Sequence, residues 1–282
     1  MLPPVLTIAG SDNSAGAGAQ ADLKTMSALG VYGLTAITCV VAEVPGKVSA
    51  IQPIEPRIVA GQIRLCLDAF PVTAIKTGLL YSREIIAAVA DILAPCKLPL
   101  VIDPVMVATS GDPLLQADAI ALYRERLFPL ATLITPNLDE TRTLLGRPVT
   151  TLDEMRRAGA ELTARHGTAF LLKGGHLRGD TATDLLFADG EIVEFSAPFV
   201  PGVSTHGTGC TYSAAIAAGL GKGLALRDAV ADAKQFVTAA VTHFLRWEKD
   251  GRTTDALDHF AIRELQQREE PRDSGPKKTP SF

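Results

Sequence analysis

The sequence has few of the features that mark secreted, zinc-stabilised or membrane-spanning chains. Its 282 residues include 4 cysteines, which are widely spaced and form neither a C-x-x-C pair nor a metal-ligand pattern, so we expect no disulfide framework and no structural metal. Apolar runs such as AIAAGL are too short to span a bilayer. The N-terminus, MLPPVLTIAG, lacks the basic region of a signal peptide. These absences predict a cytoplasmic protein that does not enter a membrane.

A strong excess of one charge is also missing. The formal net charge is −4, and acidic and basic residues are mixed along the chain. This balance gives no indication of nucleic-acid binding or of attachment to an anionic membrane surface. Hydrophobic residues, in contrast, make up 47% of the chain, which supplies a sizeable core.

Short β-rich runs alternate with helical patterns along most of the chain. Examples are the apolar run 5–9, the helical pattern from about 19 to 29 and the buried run 34–42. Repeated strand–helix alternation predicts a three-layer α/β fold with a mostly parallel central sheet and helices on both faces. We expect one domain over residues 1–264, followed by a polar, disordered tail at 265–282.

Two further patterns refine this fold. Segment 184–197 has two strand-like runs around Asp189-Gly190, a two-residue turn signal that predicts a hairpin at an antiparallel edge of the sheet. Two long helices are predicted near the end, from about 208 to 220 and from 226 to 247.

The first glycine-rich loop, GSDNSAGAGAQADLK, follows the first predicted strand. Its residues 16–21, GAGAQA, fit the G-x-G-x-x-A fingerprint of dinucleotide-binding enzymes, and Glu43 ends the second strand where a ribose-binding acid would lie. The loop is long for that motif, however, and Asp12 and Asp22 would repel a pyrophosphate. A dehydrogenase is therefore disfavoured, and a turn without catalytic interest is the alternative.

A second glycine motif lies near the C-terminal end of the chain. Gly207-Thr208-Gly209-Cys210 opens a helix of small residues, where backbone N–H groups can stabilise a transferring phosphoryl group. Cys210 falls in the first turn, and a helix N-terminus lowers the pKa of a thiol. Cys210 could then accept a proton from a substrate hydroxyl. A small buried cysteine is an equally good interpretation from position alone.

Six segments in a fixed order now point to a family. They are AGSDNSAGAGAQADLKT, KTG, DPVMVATSGDPLL, TPNLDE, LLKGGH and THGTGCTYSAA. In order and spacing the chain resembles hydroxymethylpyrimidine/phosphomethylpyrimidine kinases of thiamine biosynthesis, of the ribokinase-like superfamily that also holds pyridoxal kinases. The resemblance covers residue 4 to about 260. It implies a homodimeric kinase that uses ATP and Mg²⁺ to phosphorylate a hydroxymethylpyrimidine.

The resemblance also implies a substrate pocket. Gly10 and Asp22 match positions that contact the pyrimidine. Leu79 and Val105 match apolar wall positions. Glu43 matches the residue that binds the polar edge of the ring.

Further matches concern phosphoryl transfer. The resemblance implies that Gly207, Thr208 and Gly209 form an anion hole with Cys210 as catalytic base, that Lys173 and Lys234 lie near the nucleotide, and that Asn137 and Glu140, joined by Asp103, form the magnesium site. Each has a simpler alternative. Asn137 and Glu140 could cap a helix, Lys173 could be an ordinary strand-end lysine, and Asp103 could sit in an Asx turn. His206 is interpreted as a loop residue that shapes the anion hole.

The sequence departs from the family pattern at four places. Glu43 replaces a glutamine, Val44-Pro45 replaces Asn-Thr, and Thr109 stands where a lysine near the phosphates is usual. Ala15 replaces a glycine, a mild change if its φ is negative. Glutamine can both donate to and accept from an aminopyrimidine, whereas glutamate donates only when protonated, so we expect altered substrate selectivity or pH dependence. The alternatives are a pyridoxal/pyridoxine kinase on the same scaffold and a non-catalytic pyrimidine sensor.

Overall fold

A computed structural model of the chain describes residues 1–106, 115, 117–175, 177, 179–203 and 206–261. Thr109 and the predicted tail at 265–282 lie outside these residues. The strands are β1 (Pro4–Asp12), β2 (Tyr32–Val44), β3 (Lys47–Pro53), β4 (Ala74–Thr77), β5 (Leu100–Ile102), β6 (Leu133–Ile134), β7 (Ala169–Lys173), β8 (Thr181–Ala188), β9 (Glu191–Pro198), β10 (Leu245–Lys249) and β11 (Arg252–Ala256).

Nine of these strands form one sheet, in the order β3-β2-β1-β4-β5-β6-β7-β8-β9. The central pairs from β2 to β7 are parallel, whereas β3 at one edge and β8–β9 at the other are antiparallel. The predicted mostly parallel sheet with an antiparallel edge hairpin is confirmed. Because the carboxyl ends of the parallel strands meet at one rim, that rim is where a ligand site is expected.

Helices cover both faces of the sheet. They are α1 (Gly18–Ala28), α2 (Pro56–Ala69), α3 (Arg83–Leu93), α4 (Ala117–Leu122), α5 (Leu138–Leu145), α6 (Leu152–His166), α7 (Thr208–Gly221) and α8 (Leu226–Thr242). One apolar core packs α2 to α6 against the sheet, and the other packs α1, α7 and α8 against its opposite face. Along the part of the chain just given, no helix combines the length and apolar character that a membrane crossing requires.

Local chemistry accounts for several helix boundaries. Ser82 caps α3 by accepting from the N–H of Ile85. Thr151 and Glu154 form the predicted capping box of α6, which ends at Gly167 with φ 66°. These three boundaries follow the sequence signals closely.

The predicted long helix 226–247 is wrong at its end. Helix α8 stops at Thr242, and β10 and β11 form a separate two-stranded sheet. The turn between them is Asp250-Gly251, with φ 52° and 72°. This is the same Asp-Gly turn chemistry that correctly located the 189–190 hairpin, so the signal was present in the sequence and was overlooked.

Candidate active site

A cavity of about 450 Å³ opens at the carboxyl ends of the parallel strands. It is lined by residues from both glycine motifs and from the ends of β2, β4, β5, β7 and β8. The structure brings together here nearly all the residues singled out in the sequence: Gly10, Glu43, Leu79, Asp103, Val105, Asn137, Glu140, Lys173, Lys234, Gly207, Thr208, Gly209 and Cys210.

Asp22 is the exception, because the structure places it beneath the cavity rather than in its wall. Its side chain is fully buried in an ion pair with Lys76, and it also accepts a hydrogen bond from the Thr7 hydroxyl. Its ion-pair partner Lys76 does line the cavity.

The two glycine motifs contact each other. A Cβ on Gly207 would lie 1.8 Å from the carbonyl oxygen of Gly16, and Gly207 has φ 81°. A Cβ on Gly16 would lie 2.9 Å from Cδ2 of His206. Glycine is therefore needed at both positions so that the two loops can meet.

The first loop is already filled by a carboxylate of the protein itself. The Asp12 carboxylate accepts from the N–H groups of Ser14 at 2.7 Å and Ala17 at 2.8 Å, and its Oδ2 lies 3.1 Å from Nε2 of His206. Burial opposes its ionisation, but these hydrogen bonds hold the pKa of Asp12 below its ordinary value. Since Asp12 occupies the amides that a pyrophosphate would need, the loop does not form a dinucleotide site.

Ala15, which replaces a glycine of the family pattern, does not have the negative φ that would make this replacement mild. Its φ is 58°, in the left-handed region, where an L-residue with a Cβ is strained. The hydrogen bond from the Ala15 N–H to the Asp12 carbonyl, at 3.0 Å, holds this turn.

Glu43 lies at the end of β2, facing the cavity. The pairing of β2 with β3 shifts register between Ala42 and Glu43, and such a bulge re-aims the side chains beside it. The Glu43 N–H donates to Oδ1 of Asn13 at 2.7 Å. Burial, reinforced by the negative charge of Asp12, raises the pKa of the Glu43 carboxyl. The side chain is thus poised to carry a proton more readily than an exposed glutamate.

The second loop leaves backbone N–H groups and one hydroxyl available at the cavity. Gly207 precedes α7 as its N-cap, so the first N–H groups of the helix are directed at the cavity. The Thr208 hydroxyl is buried and has no hydrogen-bond partner among the described residues. A Cβ on Gly209 would lie 3.1 Å from Nζ of Lys173, so the glycine leaves room beside that cation.

The predicted lowering of the Cys210 pKa is wrong. Burial raises the pKa of the thiol to about 12, while the charge of Lys76 and the N–H of Gly18 act in the opposite direction. The helix N-terminus favours the thiolate, but removal of the sulfur from water is the larger effect. Because the sequence reveals the helix position and not the depth of burial, only the smaller effect was predictable.

A charged cluster lies beside the second loop. Lys173 Nζ donates to Oδ1 of Asp103 at 2.8 Å, and the Ser213 hydroxyl lies 3.4 Å from Oδ2. Asn137 and Glu140 form a reciprocal capping box at the start of α5, with both bonds at 2.8 Å. Burial is the main reason that the pKa of Glu140 rises to about 8. The capping alternative is thus real, and it fixes both side chains at the cavity wall.

Lys234 reaches the cavity from α8. Its ammonium donates to Oδ2 of Asp184 at 2.7 Å and to the carbonyl of Ala182 at 2.9 Å. Asp184 also accepts from the Gly174 N–H at 3.0 Å. The pair ties α8 to the edge hairpin.

Three site residues were missed as functional groups. Asp12 was considered only as an obstacle to a pyrophosphate, Lys76 lay unassigned in the KTG segment, and Asp184 was interpreted as part of a hairpin strand. KTG was a usable signal, since a lysine in a buried strand needs a charged partner. No local pattern indicated the partners of Asp12 or Asp184.

Comparisons with known proteins place the chain in one family. The phosphomethylpyrimidine kinase family model matches residues 12–255. A hydroxymethylpyrimidine/phosphomethylpyrimidine kinase of Rhizobium meliloti (strain 1021) is 45% identical over 266 residues, covering 89% of this chain and 100% of the relative.

Two solved structures are also similar. An ADP complex of Bacillus subtilis pyridoxal kinase has a TM-score of 0.85 and 36% identity, covering 94% of this chain and 100% of that one. A phosphomethylpyrimidine kinase from Clostridium difficile 630 has a TM-score of 0.74 and 37% identity, covering 84% and 99% respectively.

Proposed function

The chain belongs to the phosphomethylpyrimidine kinase family, and we propose that it phosphorylates 4-amino-5-hydroxymethyl-2-methylpyrimidine and then its monophosphate with ATP, in thiamine biosynthesis. The observation that carries the proposal is the meeting of two glycine loops in one cavity. One loop joins Glu43 in a pocket for a polar ring, and the other offers amides and the Thr208 hydroxyl to a phosphoryl group. A substrate hydroxymethyl group between the two loops would face the γ-phosphate of ATP.

Alignment of the reacting groups and stabilisation of charge would supply most of the catalysis. Phosphoryl transfer passes through a loose transition state, for which a protein supplies alignment and electrostatic stabilisation. The N–H groups at residues 207–210 would receive the developing negative charge, and Lys173, held by Asp103 at 2.8 Å, would add a fixed cation. The γ-phosphate would thereby be kept in line with the attacking oxygen.

Cys210 would accept the proton of the attacking hydroxymethyl group. The O–H bond breaks as the S–H bond forms, and the oxygen lone pair forms the new bond to phosphorus. Since burial raises the pKa of the thiol to about 12, the thiolate is scarce near neutral pH. We therefore expect kcat to increase with pH until another group intervenes.

The donor set suits Mg²⁺, which keeps several waters and needs one or two carboxylates beside substrate phosphates. Asp103 would hold the ion, and Glu140 would join it by giving up the proton that burial favours on its carboxyl, with Asn137 fixing Glu140 through the capping box. Among the described residues no group of three or more His, Cys, Asp or Glu side chains has metal-binding geometry, so water and phosphate oxygens would complete the shell. When bound, Mg²⁺ would offset the charge of the phosphates. Lys234 would lie near the nucleotide.

Glu43 would select the ring. A protonated glutamate can donate to a ring nitrogen as glutamine does, and an ionised one can bind a protonated ring. Because the pKa of Glu43 is raised, its protonation would change nearer to neutral pH than that of an exposed glutamate. We expect wild type and Glu43→Gln to differ in the pH profile of kcat/KM and in the ranking of pyrimidine analogues. Identical profiles and rankings would remove Glu43 from substrate selection.

Product analysis tests the proposed function. The protein is incubated with ATP, Mg²⁺ and hydroxymethylpyrimidine, and products are separated by mass spectrometry. We expect the monophosphate first and the pyrophosphate later. A parallel incubation replaces hydroxymethylpyrimidine with pyridoxal. Absence of phosphorylated product from either compound would favour a pyrimidine sensor, and phosphorylation of pyridoxal alone would favour a pyridoxal kinase. The homodimer stays a prediction from family resemblance, measured by analytical ultracentrifugation.

A further inference from the structure

A completely buried ion pair lies under the floor of the cavity. Lys76 Nζ donates to both oxygens of Asp22, at 2.8 and 3.0 Å, and both side chains have 0% exposure. The Thr7 hydroxyl donates to the same carboxylate. The pair thus joins β1, α1 and β4 in the centre of the molecule.

Stability alone is a poor explanation for this pair. Removing two charges from water costs several kcal/mol per ion in order of magnitude, and well-packed apolar residues are often as stabilising or more so. Ala74, two residues before Lys76 and on the same face of β4, shows that this strand accommodates an apolar side chain there. A charge retained here requires a second reason.

The position of the ammonium supplies that reason. A Cβ on Gly78 would lie 3.0 Å from Nζ of Lys76, so the glycine leaves the cation close to the cavity surface. Burial disfavours the charge on Lys76, but Asp22, Cys210 and Asp103 together raise the pKa of the amine. Lys76 is therefore a permanent cation in contact with the cavity that also contains Cys210.

The charges that act on Cys210 come from several elements. Lys76 on β4 and Asp22 on α1 act from below, Asp103 acts from the end of β5, and Lys173 on β7 is also coupled to the thiol. The Gly18 N–H donates to the sulfur. Of these groups, Lys76 is a cation that lines the same cavity as Cys210, and its charge favours the thiolate.

We propose that Lys76 is a positioning residue for Cys210. Asp22 fixes the Lys76 ammonium, and this ammonium stabilises the Cys210 thiolate that accepts the substrate proton. The role in proton transfer rests on the proposed kinase function, whereas the effect on the thiol does not. Asp22 holds the ammonium charged and in place. The resemblance placed Asp22 against the pyrimidine, and this proposal gives it an indirect role instead.

Thiol alkylation tests the proposal without a kinase assay. The full chain is treated with iodoacetamide at pH 8, and modification of the Cys210 peptide is followed by mass spectrometry in wild type and in Lys76→Met/Asp22→Asn. A thiol whose pKa rises by one unit is alkylated about threefold more slowly, since greater nucleophilicity offsets part of the lost thiolate. We expect Cys210 to slow by at least about threefold, while the half-buried Cys66 and Cys96 keep their rates.

A matched variant controls for the loss of a buried pair as such. Lys234→Met/Asp184→Asn removes a similarly buried pair whose members are not among the main influences on Cys210, so its Cys210 rate should equal that of wild type. The single variant Lys76→Arg keeps a permanent cation at this position. Its Cys210 alkylation rate should therefore stay within about twofold of that of wild type.

An unchanged Cys210 rate in the folded double variant would overturn the proposal. If methionine prevents folding, Lys76→Gln/Asp22→Asn removes the same charges and is judged by the same outcome. Circular dichroism reports folding. If alkylation slows but wild type makes no phosphorylated product, the influence of Lys76 on the thiol stands and the kinase function fails.

Discussion

The contact between the two glycine loops gives the sharpest structural prediction. In Gly207→Ala the new Cβ would meet the Gly16 carbonyl oxygen at 1.8 Å, against an ordinary contact of at least 3.4 Å. The loop must therefore move by about 1.6 Å, and a displacement near 1 Å can reduce turnover on the order of 100-fold. We expect kcat/KM for ATP-dependent phosphorylation to decrease by about that factor.

Gly30→Ala is the matched control for this change. Gly30 has φ 73°, close to the 81° of Gly207, but a Cβ there would meet nothing within 4 Å. Gly30→Ala should lose about 1–2 kcal/mol of unfolding free energy through the left-handed backbone, and Gly207→Ala should lose that amount plus the cost of displacing the loop, both measured by urea denaturation. Only Gly207→Ala should also lose activity. Equal activity in the two variants would refute the claim that the loops must meet closely.

Three further predictions concern stability, each measured as the free energy of unfolding in urea. Lys234→Met leaves the buried Asp184 without its cation and should cost about 3–5 kcal/mol. The double variant Lys234→Met/Asp184→Asn should recover most of this loss, and a loss equal to the sum of the two single variants would contradict the expectation. Burial lowers the pKa of His259 to about 4, so the unfolded chain binds more protons between pH 4 and 6.5, and stability decreases as pH falls through that range. Wild type should therefore lose about 1–2 kcal/mol more than His259→Asn between pH 6.5 and 5, and parallel curves would exclude His259. Ala15→Gly should stabilise the chain by about 0.5–1 kcal/mol by relieving a positive φ, and a loss of stability would show that the turn is unstrained.

Local signals in the sequence were enough for the order of elements and several boundaries. The Ser82 cap, the Thr151–Glu154 capping box and the Asp189-Gly190 turn depend on neighbouring residues, so they were predictable. The end of α8 was missed because helical spacing was extended through Leu245–Lys249, although Asp250-Gly251 marked a turn.

The identity of the site residues was predictable from the sequence, whereas their interaction partners and their burial were not. Thirteen predicted residues line the cavity because family motifs lie at strand ends. The partners of Asp12, Asp22 and Asp184 come from distant segments, and no spacing rule connects them. The pKa of Cys210 depends on burial, which arises only when α1, β4 and α7 pack together.

One kinetic comparison tests the central claim most directly. Steady-state kcat/KM is measured with ATP and Mg²⁺ for hydroxymethylpyrimidine, its monophosphate and pyridoxal, with Gly207→Ala as the impaired control. We expect turnover of both pyrimidines and a higher kcat/KM for hydroxymethylpyrimidine than for pyridoxal. A preference for pyridoxal, or ATP turnover that does not depend on any of the three, would contradict it.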